Sequence, residues 1–327
     1  MNMKSPRRAA LRFAAALAAT SVLAGAAFAQ AYPSRPIKLI VPAPPGGSTD
    51  VMSRALGRAL SEQNNVPVVV ENRAGAAGAI GIQAAIASPP DGYTITLSAA
   101  DATLIYPMLK KQPPYNIGQL TPIAQVAYTS FLFVVPANSP YATLKEVIDT
   151  SKTKQLAYSS NGFGSGNHLW MEAFKSITGA NLLHVPYKGA APAVQGLIAG
   201  ETQFMITSPA SGRLMLDAGR MKPLATSNPT RLPGFPTVPT LGESGYPGRV
   251  MGAWFGIFGP ANLPPAITSK LHDMVLAAMK SPEFQKQADT FMFDTRPVSR
   301  AAFEKVIADD AALLKSAIEA AKIPLED

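Results

Sequence analysis

The chain has no cysteine. That excludes disulfides, thiol catalysis, cysteine metal sites and a lipid-modified N-terminal cysteine. Histidine is scarce as well. His168, His184 and His272 are the only three, and no two stand at metal-ligand spacing, so neither a metal site nor any other cofactor is expected. Charged residues make up only 15% of the chain against 47% hydrophobic. This balance excludes wholesale disorder and supplies a sizeable core. The net charge is +8, and Lys4, Arg7, Arg8 and Arg12 contribute four of it within the first dozen residues. The remaining basic residues are scattered, with no run of five or six, which argues against nucleic acid. Beyond the N-terminus no apolar run is long enough to span a bilayer.

Enzyme signatures are missing too. No serine has glycine at both i−2 and i+2, so there is no nucleophile elbow. No glycine-rich stretch ends in Gly-Lys-Ser/Thr, so there is no phosphate loop of that kind. Gly75, Gly78 and Gly81 follow a strand but fail the dinucleotide spacing. His168 lies three residues after Ser165, a spacing that invites a Ser–His reading, but no orienting acid or oxyanion site accompanies it. The plainer reading is a first-turn histidine packed beside its loop.

The first thirty residues have the layout of an export signal. The basic start MNMKSPRRAALR precedes an alanine-rich apolar run from Phe13 to about Ala27. Ala27-Phe28-Ala29 then supplies a small-x-small cleavage pattern before Gln30. The expected location is the periplasm, with residues 1–29 removed. An uncleaved membrane anchor is the rival reading, and the short, mostly alanine run disfavours it. The Arg7-Arg8 pair leaves the choice of export route open.

What is present is a rhythm of strand, glycine loop and helix. The stretch IVPAPPGGSTDVMSRALGRAL, Ile40 to Leu60, opens it. Ile37 to Val41 is short and apolar, as for a buried strand. Pro44 and Pro45 stiffen the exit, and Gly46 and Gly47 permit a tight turn. Ser48, Thr49 and Asp50 are good helix N-caps. Met52, Ala55, Leu56, Ala59 and Leu60 then recur at helical spacing, with Arg54 and Arg58 facing elsewhere. Free amides at such a helix start suit an anion, although every α/β protein contains ordinary capped turns of this kind.

The rhythm continues: strand Val66–Glu71, glycine turn Asn72–Gly78, helix to about Ala87, turn SPPDGY and strand Thr94–Ser98. A second block begins near Val135. It reads helix Leu144–Lys152, strand Gln155–Ser159, loop NGFGSGNHLW and helix to Thr178. Strand Leu182–Tyr187, helix Val194–Ala199, strand Gln203–Thr207, a helix opened by PASG and strand Lys222–Thr226 follow. After the proline- and glycine-rich loop Asn228–Gly248 come apolar WFGIFGP and helices near Pro264–Lys280 and Val298–Lys322. The alternation is that of parallel sheets wrapped by helices. Two α/β domains are expected, residues 30–134 with about 251–280 and residues 135–250, while 281–327 form C-terminal helices of open assignment. NGFGSGNH repeats the logic of PPGGSTD, and two such loops facing one interdomain cleft favour a carboxylate or phosphate.

Seven stretches, in order, match one family: YPSRPIKLIVPAPPGGSTD, ENRAGAAG, ASPPDGY, YSSNGFGSGNHL, HVPYKGAAPA, VPTLGESGYPG and WFGIFGPANLPP. On these the chain resembles the substrate-binding receptors of tripartite tricarboxylate transporters, the Bug receptors, over nearly its whole mature length. The resemblance implies a two-domain periplasmic binding protein of the Venus-flytrap kind, joined by crossover strands. It implies a receptor, not an enzyme, that captures a small organic acid and delivers it to membrane permease subunits. It also implies a carboxylate held by amides, hydroxyls and water without an obligatory arginine. A monomer is expected.

Carried over by motif, the ligand-binding residues expected are Gly46, Gly47, Ser48, Thr49 and Asp50 from the first loop, and Ser98 at the end of its strand. Ser160, Asn161, Gly164, Ser165 and His168 come from the second loop, Tyr187, Lys188 and Gly189 from the YKG loop, and Thr207 and Ser208 from a strand end. Asp50 is equally readable as a cap, Lys188 as a solvated lysine and Tyr187 as core. Ser165 and Ser48 are the favoured pair, and Ser165→Ala is expected to weaken binding by roughly 1–2 kcal/mol, the scale of one hydrogen bond. Relatives usually read threonine-histidine-alanine-isoleucine-asparagine-proline where this chain has Ala102 to Pro107, ATLIYP. They also differ at Tyr115-Asn116, Gly118 to Leu120 and Pro44-Pro45. The segment Ser98–Thr103 leaves its strand toward the cleft, so the ligand's far end is read differently here. Two other functions remain open at this point: a sensor feeding a two-component kinase, and an exported hydrolase using Ser165 and His168.

Overall fold

The computed structural model describes residues 32–246 and 251–327. The expected export signal, residues 1–29, lies outside the described residues.

The chain opens with β1 (Ile37–Val41), α1 (Ser48–Asn64), β2 (Val68–Asn72), α2 (Ala79–Ile86) and β3 (Thr94–Ala99). A turn of π-helix, Asp101–Ile105, follows β3. The long β4 (Leu120–Ser130) and β5 (Leu132–Pro136) are separated by Phe131 alone. Next come α3 (Leu144–Thr153), β6 (Leu156–Ser160), α4 (Gly166–Thr178), β7 (Leu182–Pro186), α5 (Ala190–Ala199), β8 (Phe204–Thr207), α6 (Pro209–Asp217) and β9 (Met221–Thr226). The chain ends with β10 (Gly252–Pro260), α7 (Pro265–Ala278), α8 (Pro282–Thr290) and α9 (Arg300–Ala320). This is the mixed α/β architecture expected from the glycine-loop rhythm. Three elements carry no clear pattern in the sequence: β4, the strand character of β10, and α8.

The strands form two five-stranded sheets, ordered β2-β1-β3-β10-β4 and β7-β6-β8-β5-β9. The two share one design. In each, three strands run parallel and a fourth runs antiparallel to its neighbours. That antiparallel strand is the one arriving from the other sheet, β10 in the first and β5 in the second. The reciprocal crossing follows from chain length: a single intervening residue leaves β5 no room to turn back beside β4, whereas 25 residues separate β9 from β10.

Both crossings meet at Ser227, which is fully buried. Its hydroxyl accepts a 2.7 Å bond from the Phe131 amide and donates to the Met251 carbonyl, and its own amide donates to the Phe131 carbonyl at 2.9 Å. One side chain thus ties the outgoing strand to the returning one.

The apolar stripe of α1 is buried at Met52, Ala55, Leu56, Ala59 and Leu60, while Arg54 and Arg58 stay exposed. This face joins α7 and α8 in covering the first sheet. A second core continues through both units, linking Leu104 and Trp254 to Phe133, Tyr158 and Trp170. The helix α9 completes it through Phe303, Ile307 and Leu314. Phe303 lies against Gly256 so closely that an added Cβ there would sit 2.4 Å from its ring. Each such fully buried aromatic or aliphatic side chain stabilises the fold by roughly 1.5–3 kcal/mol.

Candidate functional site

The first glycine loop leaves β1 and enters α1 through Gly47, whose extended backbone (φ −75°, ψ 167°) forms the N-cap without a side-chain hydrogen bond. Gly46 turns the chain at φ +89°, a region that glycine enters freely. Its amide donates to Asp50 Oδ2 at 2.9 Å. Asp50 is almost wholly buried and takes further bonds from Asn72 Nδ2 (2.8 Å) and Arg54 (2.9 and 3.1 Å). Burial raises its pKa, but the bonds from Arg54, Gly46 and Asn72 outweigh this and hold the carboxyl below its ordinary range. Asp50 therefore braces the loop from behind. Ser48 and Thr49 are half-buried in the first turn beyond it.

The second loop leaves β6 after Ser160 and turns at Gly162 and Gly164, both at positive φ. Here the N-cap is occupied. Ser165 Oγ accepts from the His168 amide (3.3 Å) and donates to the Gly162 carbonyl (2.7 Å). The Gly164 amide donates to His168 Nδ1 at 3.0 Å, which places the proton of the neutral ring on Nε2. His168 stacks face to face on His184 at 3.8 Å, and His184 Nε2 meets Ser160 Oγ at 2.6 Å. Burial pushes both imidazoles down to about 4, helped for His168 by the charge of Lys175 and for His184 by that of His168. Ser165 and His168 thus hold the loop together, the hydroxyl through the His168 amide and the Gly162 carbonyl and the imidazole through the Gly164 amide, which is not the arrangement of a Ser–His dyad.

The YKG loop lies beside this one. Tyr187 and Gly189 donate their amides to the Ser160 and Asn161 carbonyls at 3.1 and 3.0 Å. The Tyr187 hydroxyl donates to Glu201 at 2.5 Å, and Lys188 is exposed. Ser98 is fully buried and accepts from Thr103 Oγ1 at 2.7 Å.

Between the sheets lies a cavity of about 180 Å³. Of the expected residues, Ser48, Asn161, Thr207 and Ser208 line it. Gly46, Gly47, Thr49 and Asp50 stand behind Ser48 in the loop. Ser160, Gly164, Ser165 and His168 stand behind Asn161, and Ser98, Tyr187, Lys188 and Gly189 are likewise absent from the wall. The other polar wall residues are Asp101, Thr129, Asn167 and Ser211, and the aromatic ones are Phe131, Trp170, Phe255 and Phe293. Asn167 was not among the expected residues, although it lies inside the NGFGSGNH motif. Thr129 and Phe255 lie on strands without a clear pattern, and Asp101 and Phe293 on turns far apart in the chain. Asn167 is held by bonds from Asn161 Nδ2 (3.0 Å) and to the Ile206 carbonyl (2.7 Å). Asn161 Oδ1 is buried and has no partner among the described residues.

A larger cavity of about 550 Å³ opens near Tyr128, Asn228, Leu232 and Met292. Neither glycine loop reaches it. Its two guanidiniums are committed, Arg231 to Glu243 at 3.0 Å and Arg296 to Asp294. The smaller cavity is the one that both sheets and both helix starts surround.

Among the described residues, none cluster in a way that holds a metal ion, and no helix is long and apolar enough to cross a membrane.

Comparison with known proteins agrees with this architecture. The profile of the "Tripartite tricarboxylate transporter family receptor" matches residues 52–323. Protein BugT of Bordetella pertussis is 38% identical over 267 residues, covering 80% of this chain and 82% of that protein. A TctC solute-binding protein from Polaromonas, solved without ligand, superposes with a TM-score of 0.81 at 32% identity, covering 88% of this chain and 99% of that one. The R. palustris protein Rpa4515, solved with adipate, superposes with a TM-score of 0.69 at 27% identity, covering 90% of this chain and 99% of that one. The chain belongs to the receptor family of the tripartite tricarboxylate transporters, a family of solute-binding proteins and not of enzymes.

Proposed function

We propose that the protein captures a small organic carboxylate in the cavity between its two sheets and passes it to membrane permease subunits of a tripartite transporter. The observation that carries this reading is the uncapped start of α1. Gly47 offers no side chain to the first-turn amides, and Ser48, beside them, lines the cavity. A helix start of this kind attracts an anion through its amides and its dipole. Hydroxyls and amides of Thr129, Asn161, Asn167 and Ser208 complete a polar wall drawn from both sheets. The relative Rpa4515 was solved with adipate, a dicarboxylate.

The division into domains proposed is residues 30–134 with about 251–280 and residues 135–250, with α8 added to the first because it packs on that sheet. Closure of one on the other excludes water and strengthens each contact to the bound acid. A ligand favours the closed form only by touching both sides, and this cavity offers contacts on both. The protein acts in the periplasm as a monomer, after loss of the N-terminal segment.

A thermal-shift screen tests the reading. Small carboxylic acids are compared with their own neutral amides and esters, and binding to the native state raises Tm by mass action. One acid class is expected to raise Tm while its amide and ester do not. If no acid moves Tm, or a neutral compound does so best, the reading fails.

A further inference from the structure

The cavity wall contains one ionisable side chain, Asp101, and among the described residues lining it there is no lysine, arginine or histidine. For an anion site this is the wrong sign. Asp101 stands at the start of the π-turn after β3. Its carboxylate crosses the cleft to the opposite unit. Oδ1 lies 2.6 Å from where a Cβ at Gly166 would be, so the carboxylate rests against the first residue of α4.

Asp101 is exposed at the cavity wall, and no hydrogen bond or ion pair to its carboxylate is made by the described residues. A carboxylate so placed lacks a counter-charge. Opposite charge favours the ionised form, and like charge opposes it. Phe131, Trp170, Phe255 and Phe293 also line the cavity, and aromatic faces attract cationic nitrogen. The volume of about 180 Å³ is below the roughly 300–1,000 Å³ of pockets for drug-sized ligands, and so suits a short-chain molecule.

Resting on the carboxylate-receptor reading above, we infer that Asp101 selects an acid that also carries a cationic nitrogen: a small zwitterion such as a short amino acid. The ligand's carboxylate takes the start of α1 beside Ser48, and its ammonium takes Asp101 within the aromatic part of the wall. A dicarboxylate of equal length meets repulsion at Asp101 instead of attraction.

The test uses matched pairs that differ by one ammonium group, aspartate with succinate, glutamate with glutarate and 4-aminobutyrate with butyrate, titrated calorimetrically into wild-type protein and Asp101→Asn. At least one ammonium-bearing member is expected to bind wild type ten-fold or more tightly than its partner. Asp101→Asn, which keeps the shape and removes the charge, is expected to erase that preference and improve dicarboxylate binding. If wild type binds the acid lacking nitrogen as well as or better than its partner, the inference is overturned and the carboxylate reading survives. That outcome would mean that Asp101 is protonated and donates to a second carboxylate. If the preference exists but Asp101→Asn leaves it unchanged, Asp101 is not its source and the inference is likewise overturned. If none of the six binds, the inference is overturned for short amino acids, and the thermal-shift screen decides the carboxylate reading. If Asp101→Asn does not fold, Asp101→Ser takes its place in the same comparison.

Discussion

The two glycine-rich loops look alike in sequence and are built to different ends. PPGGSTD is braced from behind: Asp50, Arg54 and Asn72 hold Gly46, and the cap position carries no side chain. NGFGSGNH is sealed from within: Ser165 fills the cap, and His168, His184 and Ser160 form a stacked and bonded cluster beneath it. The first loop leaves its helix start available. The second spends its cap hydroxyl on its own backbone and presents amide side chains, Asn161 and Asn167, to the cavity instead. A shared motif therefore specifies a shared turn, and the residue at the cap decides whether the helix start is left open or is filled by a side chain.

The comparison can be broken most forcefully with acid. His168 and His184 have pKa values lowered to about 4, against about 6.5 when unfolded. The unfolded chain then binds protons that the folded chain refuses, so stability is unaffected above about pH 6.5 and falls as pH drops from there toward 4. The pair is expected to remove on the order of 4 kcal/mol by pH 4, because each pH unit separating a native pKa from its unfolded value is worth about 1.4 kcal/mol and the two stacked rings share part of that cost. Chemical denaturation across pH for wild type and a His168→Gln/His184→Gln variant measures it. Equal slopes would show that the second loop is not sealed by neutral imidazoles.

Asp50→Ala attacks the brace. It removes the acceptor for Gly46, Asn72 and Arg54 from a buried place, and stability is expected to fall by about 2–4 kcal/mol. The same change should weaken acid binding as the loop loosens. A variant as stable as wild type would mean that the loop holds its shape without Asp50.

Ser165→Ala removes a cap, with an expected loss of about 1 kcal/mol in stability. Because the hydroxyl is bonded to Gly162 and His168, its effect should fall on unfolding more than on affinity. Affinity loss without loss of Tm would return Ser165 to the site. Ser48→Ala should show the opposite pattern, a change in affinity of about 1 kcal/mol with little movement of Tm. Two serines with exchanged behaviour would reverse the assignment of the loops.

The strand–loop–helix units were legible because their signals are local. Pro44 to Gly47 mark one turn, Ser165 and Ser208 sit at N-caps, and Met52 to Leu60 carry a helical stripe. β4 was not legible: Pro122 interrupts it, and its burial on both faces leaves no alternation to read. The cavity wall was legible where it falls inside a motif or, as at Thr207 and Ser208, at the end of a readable strand. Ser48 and Asn161 lie inside motifs, whereas Asp101, Thr129 and Phe293 are brought together by the reciprocal crossing of strands, which no local pattern encodes. Ser98 shows the remaining gap. Its place at a strand end was clear, but which way its hydroxyl turns depends on Thr103, five residues later.

Ser227 has a wider consequence. Both connections between the sheets are fastened to one buried hydroxyl, so they cannot slide past each other independently. The relative motion of the two units is thereby narrowed from general tumbling toward swinging about a single pin. For the carboxylate capture proposed above, fewer open arrangements would be given up when the acid arrives, and less of its binding energy would be consumed in ordering the receptor. A small ligand with few atoms to grip can then still shut a protein many times its own size.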